Sequence, residues 1–198
     1  MRPEHILSVL IITAVILVTP FSGIAEGKKD VPKKTDAVET YTSGHGFSID
    51  YPKGWKLVTY MEEYETLEDA EKDAGNYFSI QSYQDDDPRI RGYHYFPADT
   101  LKIEAWVYPD YGGTLAELIT QTKDITRIDD FTIGGKKAKK VWQKVGEGVD
   151  AGDDIYSIYF VDDGKRAIFT CYPIYTSLKD KFEEIVGSFR FEKAGRKK

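Results

Sequence analysis

The clearest period in the chain is two. In "GFSIDYP" (46–52), Phe47, Ile49 and Tyr51 alternate with Ser48 and Asp50, which predicts a half-buried strand closed by Pro52. A "PKGW" turn follows, and "KLVTY" reads as the strand's continuation. "NYFSIQSY" (76–83) and "TLKIEAWVYP" (100–109) predict two further strands; in the second, Leu101, Ile103, Ala105 and Val107 form the inward set. "FTIGGKKAKKVWQKV" reads as a hairpin or crossing turned at Gly134-Gly135. "DIYSIYFV" (154–161) is apolar or aromatic on both faces, which predicts a central strand covered on each side. The Asp-Gly of "DDGK" (162–165) joins it to "RAIFTCYPI" as a short hairpin.

Two stretches change to a helical period. Thr114 and Glu117 have capping-box spacing at the head of "TLAELITQTKDI" (114–125), with Leu115, Leu118, Ile119 and Thr122 as the buried stripe. Ser177 and Asp180 take the same positions at the head of "SLKDKFEEIVG", where Leu178, Phe182, Ile185 and Val186 line one face and Gly187 is the expected stop. "SFRF" then adds a short closing strand, with Phe189 and Phe191 on one face. Residues 62–73 ("EEYETLEDAEKD") fit a short surface helix or an acidic loop equally well. The sum is an α+β domain: a central, mainly antiparallel sheet with a few segregated helices.

The N-terminus is organised differently. Ile6 to Ala25 carries no charge, Arg2 precedes it, and Gly23 and Ala25 stand at the −3 and −1 positions of a signal-peptidase site. An uncleaved anchor over 6–25 is the alternative, since ~20 apolar residues can span a bilayer. Pro20 and Gly23 shorten the helical part and favour cleavage. Residues 26–40 are charged and without apolar period, a flexible spacer. The expected organisation is a signal peptide over 1–25, a spacer over 26–40, the folded domain over 41–192 and a basic tail over 193–198. The location is periplasmic or extracellular, with no stable membrane insertion unless the first segment stays uncleaved.

Composition narrows the function. A net charge of −6 argues against nucleic acid as the partner, because phosphate binding needs a basic stripe. Cys171 is the sole cysteine, so the exported chain has no internal disulfide; its apolar surroundings point to a buried, inert thiol rather than a nucleophile. No P-loop, G-x-S-x-G, H-E-x-x-H or C-x-x-C is present. His45, between two glycines, reads as an exposed turn residue, and Asp50 faces solvent or a neighbouring strand. No catalytic residue, metal ligand or cofactor site is assigned.

The insertion between the second and third strands, "QDDDPRIRGYHYFPAD" (84–99), is long for a hairpin connection, and long structured loops are where function concentrates. Tyr93, His94, Tyr95 and Phe96 crowd there without strand-like alternation and form the candidate binding patch; rings folding back over the sheet edge are the structural alternative. Asp85, Asp86, Asp87 and Asp99 flank the same insertion and form a candidate weak cation site, although the spacing of a wrapped calcium loop is absent.

The order of landmarks resembles the PsbP-like family. "GFSIDYPKGW" resembles its opening "GF-x-I-x-YP-x-x-W", and "LKIEAWV", "TLAELI", "FTIGGKKAKKVW" and "FEEIVGSFRF" follow in sequence, from Tyr41 to Phe191. The family is named after an extrinsic subunit of photosystem II and includes exported bacterial proteins. It shares its α/β/α sandwich with a nuclear-import factor that binds the small GTPase Ran. The resemblance therefore implies an α/β/α sandwich and a non-enzymatic accessory module that binds a protein partner or envelope component. A weak divalent-cation binder, or a photosystem-associated extrinsic protein in a photosynthetic organism, are the alternatives it leaves. The family's metal-binding and docking residues have no motif-level match here, so the landmarks carry fold and not a site.

Overall fold

Rows of cross-strand neighbours explain how the core assembles. The computed structural model describes residues 37–59, 77–90, 96–146 and 152–192. Seven strands form the main sheet: β3 (Lys56–Thr59), β4 (Tyr77–Gln81), β5 (Lys102–Tyr108), β6 (Ile125–Ile133), β7 (Lys136–Lys144), β8 (Asp154–Asp162) and β9 (Lys165–Tyr172), in the order β3-β4-β5-β9-β8-β7-β6. Every ladder in it is antiparallel. One row crosses the whole sheet as Leu57, Ile80, Ile103, Cys171, Tyr156, Trp142 and Arg127. The next carries Phe78, Ala105, Phe169, Ile158 and Lys140. Side chains alternate along a strand, so these rows share one face, and its middle is almost wholly apolar.

A smaller sheet covers that face. It consists of β1 (Val38–Ser43), β2 (Phe47–Pro52) and β10 (Arg190–Phe191), in the order β1-β2-β10. Phe47 stacks on Phe78 at 5.6 Å between ring centroids, and Ile49 is fully buried beside it. Helix α2 (Lys179–Gly187) adds Phe182, Ile185 and Val186 to the same cluster. Phe189, in the link between α2 and β10, meets the rings of Phe47, Phe160, Phe169 and Phe191 at 4.9–6.2 Å. The opposite face carries helix α1 (Leu115–Gln121), whose Leu118 packs with Val141 and Tyr159. The result is the expected α+β architecture, a central antiparallel sheet between two layers, with one outer layer built from α2 and the small sheet together.

Most predicted strands and both helices are present, and the differences have local causes. β1 begins at Val38 and pairs Val38 with Pro52, so the domain starts three residues before the expected Tyr41 and takes in the end of the expected spacer. "KLVT" is not a continuation of β2: Gly54 adopts φ +88° in the intervening turn, and β3 leaves for the other sheet. Ser48 and Asp50 do not share an open face, because Ser48 is fully buried and donates to Glu192 at 2.6 Å.

The first helix stops at Gln121 rather than near Ile125, and Asp124 at φ +56° turns the chain into β6. Its capping box is present: the Glu117 amide donates to Thr114 Oγ1 while Glu117 accepts from the Thr114 amide at 2.7 Å. The second box does not form. Ser177 donates from both its amide and its hydroxyl to the Ala98 carbonyl, and Leu178 becomes the N-cap without a side-chain bond. Gly187 lies inside the helix; Ser188 ends it, donating to the Ile185 carbonyl at 2.6 Å. The N-terminal apolar segment, residues 62–73 and the basic tail lie outside the described residues.

Candidate functional site

His45, Asp50 and Cys171 occupy structural positions. His45 is exposed in the β1–β2 turn, while Asp50 accepts from the Thr40 hydroxyl at 2.7 Å and pairs with Arg190. Cys171 is fully buried in β9, and burial pushes its thiol up to about 12. It stays protonated and unreactive at neutral pH. Glu183 of α2 accepts from Lys140 at 2.6 Å and from the Tyr156 hydroxyl at 2.7 Å, tying the helix to the sheet. Burial, above all, and then this carboxylate hold the Tyr156 phenol far above its ordinary range.

The 84–99 insertion is pinned at both ends. Arg89 donates to both carboxylate oxygens of Asp87 (Nε to Oδ1 at 3.1 Å, Nη2 to Oδ2 at 2.8 Å) and reaches Asp99 at 2.9 Å. These bonds hold the Asp87 carboxyl below its ordinary range. Asp85 pairs with Lys56 at 2.5 Å, and Asp86 is exposed. Three of the four candidate cation ligands are thus answered by basic side chains, and no group of three or more potential metal-ligating side chains occurs among the described residues.

The distal end is anchored from the segment before α2. Tyr175 donates to the Phe96 carbonyl at 2.7 Å, Ser177 to the Ala98 carbonyl, and Thr176 to the Thr100 carbonyl at 2.6 Å. Phe96 is half-buried and its ring meets that of Tyr83 at 5.5 Å. Tyr93, His94 and Tyr95 lie outside the described residues.

Sequence reasoning missed a cleft at the other end of β5. Tyr108 and Arg166 are register partners across β5 and β9, and the Arg166 guanidinium carbon lies 3.8 Å from the Tyr108 ring centroid. The Tyr111 ring approaches the same group at 4.6 Å. With Pro109 and Asp110 these side chains line an open cleft of about 430 Å³. The loop is fixed by the Gly112 amide, which donates to the Gly164 carbonyl at 2.7 Å. Tyr111 lies so close over Gly113 that a Cβ there would stand 2.7 Å from the ring. The sequence hint was "YPDYGG", two tyrosines around Pro-Asp ahead of paired glycines; the arginine comes from 58 or so residues away along the chain and only the strand register brings it in.

No family model and no curated protein matches the chain. Among solved structures it is similar to the solution structure of cyanobacterial PsbP (CyanoP) from Synechocystis sp. PCC 6803, at 13% identity and a TM-score of 0.43, over 81% of this chain and 95% of that one. It is also similar to a crystal structure from Bacteroides thetaiotaomicron VPI-5482, at 16% identity and a TM-score of 0.44, over 81% of this chain and 50% of that one. These are likenesses of fold; the fold class itself rests on the strand order and layers described above. Among the described residues, no helix is long and apolar enough to cross a membrane.

Proposed function

We propose that this chain is an exported, non-catalytic accessory module that holds a protein partner or an envelope component through the 84–99 insertion. The observation that carries the reading is the pinned base of that insertion. Arg89 bridges Asp87 to Asp99, and Tyr175, Thr176 and Ser177 fasten the 96–100 segment. A loop whose ends are already ordered loses less freedom when it binds, so its contacts are spent on affinity. Aromatic residues suit such a role because they give large contact area for few rotatable bonds.

The test keeps the residues of the base and changes only three residues of the candidate patch. Tyr93→Ser, His94→Ser and Tyr95→Ser, combined, should leave the thermal midpoint unchanged and remove the partner that the native protein retains from envelope extract. Retention of every partner by a folded variant overturns the reading. Export has its own test. N-terminal sequencing of the protein from its native host is expected to begin at Glu26, and a chain still beginning at Met1 would refute cleavage after Ala25.

A further inference from the structure

We propose that the cleft formed by Tyr108, Asp110, Tyr111 and Arg166 is a binding site for a molecule that presents a single carboxylate on an apolar body. Arg166 differs from its described counterparts. Arg89, Arg127 and Arg190 each meet a carboxylate. Arg166 meets none among the described residues, although Asp110 lines the same cleft, and its buried Nε–H has no hydrogen-bond acceptor. What holds the guanidinium is the pair of tyrosine rings, through cation–π attraction. A guanidinium stacked in this way keeps its charge and its in-plane N–H donors, the fork that matches a carboxylate bidentately.

The class of ligand follows from charge and size. One arginine, with the Asp110 carboxylate beside it, suits a monoanion better than a doubly charged phosphate, which calls for more positive charge. A cleft of about 430 Å³ is larger than a bare carboxylate needs and falls in the range of small-molecule sites. The aromatic walls supply apolar surface for the remainder. The ring of Tyr111 is set by its close approach to Gly113, which leaves no room for a side chain. The inference does not rest on the role proposed for the insertion, since the seven residues of β5 separate this cleft from the base of the insertion by roughly 20 Å.

The carboxylate could belong to a free acid or to the C-terminus of a peptide, and one calorimetric titration of the exported protein at low salt separates them. The probes are N-acetyl-phenylalanine, a capped pentapeptide with a free C-terminus, the amide of each, and inorganic phosphate. At least one carboxylate should bind, with its amide weaker by about tenfold or more, and the tighter of the two acids identifies the source. Arg166→Gln should weaken binding by about tenfold or more, and Gly113→Ala, which pushes the Tyr111 ring aside, should weaken it as well. Should Arg166→Gln fail to fold, Asp110→Asn at an exposed position decides: removing the neighbouring charge should tighten carboxylate binding. Acid and amide binding alike, phosphate binding more tightly than either acid, no heat from any carboxylate, or an unchanged affinity in Asp110→Asn each overturns the assignment.

Discussion

Phe189→Ala is expected to cost about 3–5 kcal/mol, the range for emptying a ring from a close-packed core. Phe189 is 1% exposed and touches four other phenylalanines. Those neighbours come from both layers: Phe47 and Phe191 from the small sheet, Phe160 and Phe169 from the large one. The ring is therefore the wedge that joins the sheets, and its neighbours belong to rigid strands that cannot collapse into the space left behind. Against a total stability of about 5–15 kcal/mol, that loss removes about a fifth or more. Urea unfolding followed by tryptophan fluorescence checks it, as a fall in midpoint at unchanged slope. Phe191→Ala, at a partly buried site, serves as the internal comparison and should cost less. A drop below 1 kcal/mol for Phe189→Ala would mean that the two layers are not held together at this point.

The same residues show what a sequence can and cannot disclose. The inward set of β5 and the burial of Phe47, Ile49 and Tyr51 were legible because a period of two assigns faces wherever one face is dry. The hairpin at "DDGK" was legible because Asp163 (φ +51°) and Gly164 (φ +72°) both need the left-handed region that this pair tolerates. A period says which face is buried, however, and not which sheet a strand joins. "KLVT" thus read as a continuation of β2 when it opens the larger sheet. Ser177 failed as a cap because a tertiary acceptor, the Ala98 carbonyl, takes its hydrogen bonds. That competition spans 79 residues and leaves no local trace.

Site chemistry was hidden for the same reason. Asp85, Asp86, Asp87 and Asp99 read as a candidate weak cation site flanking a loop, yet Arg89 lies between Asp87 and Asp99 in space and uses their charge to close the loop's base. Arg166 sits in an ordinary strand pattern, "KRAIF", and nothing near it in sequence marks it out. Only the pairing of β5 with β9 places it beside Tyr108, and only the fold of the following loop brings Tyr111 over it. The apolar positions reported the core, where burial depends on local period. The polar positions that shape the two loop regions depended on contacts made across the chain.

Alkaline pH is expected to unfold the domain from its interior. The Cys171 thiol is raised from 9.0 to about 12, by burial first, and the Tyr156 phenol is raised well above 10.0 by burial and then by Glu183. In each case the folded state holds a proton that the unfolded chain releases once the pH passes the ordinary value. The stabilisation is complete below about pH 9 and declines as the pH rises, first through Cys171 and from pH 10 through both groups. Each contributes a slope of about 1.4 kcal/mol per pH unit, so the two together remove about 4 kcal/mol between pH 8 and 11. Urea midpoints measured across that range give the slope, and Cys171→Ala separates the contributions. Its stability should fall less steeply from pH 9, because one interior proton has been taken out of the balance. Equal slopes in the two proteins would show that Cys171 ionises as readily folded as unfolded. That result is incompatible with a thiol sealed at the centre of the sheet between Ile103 and Tyr156.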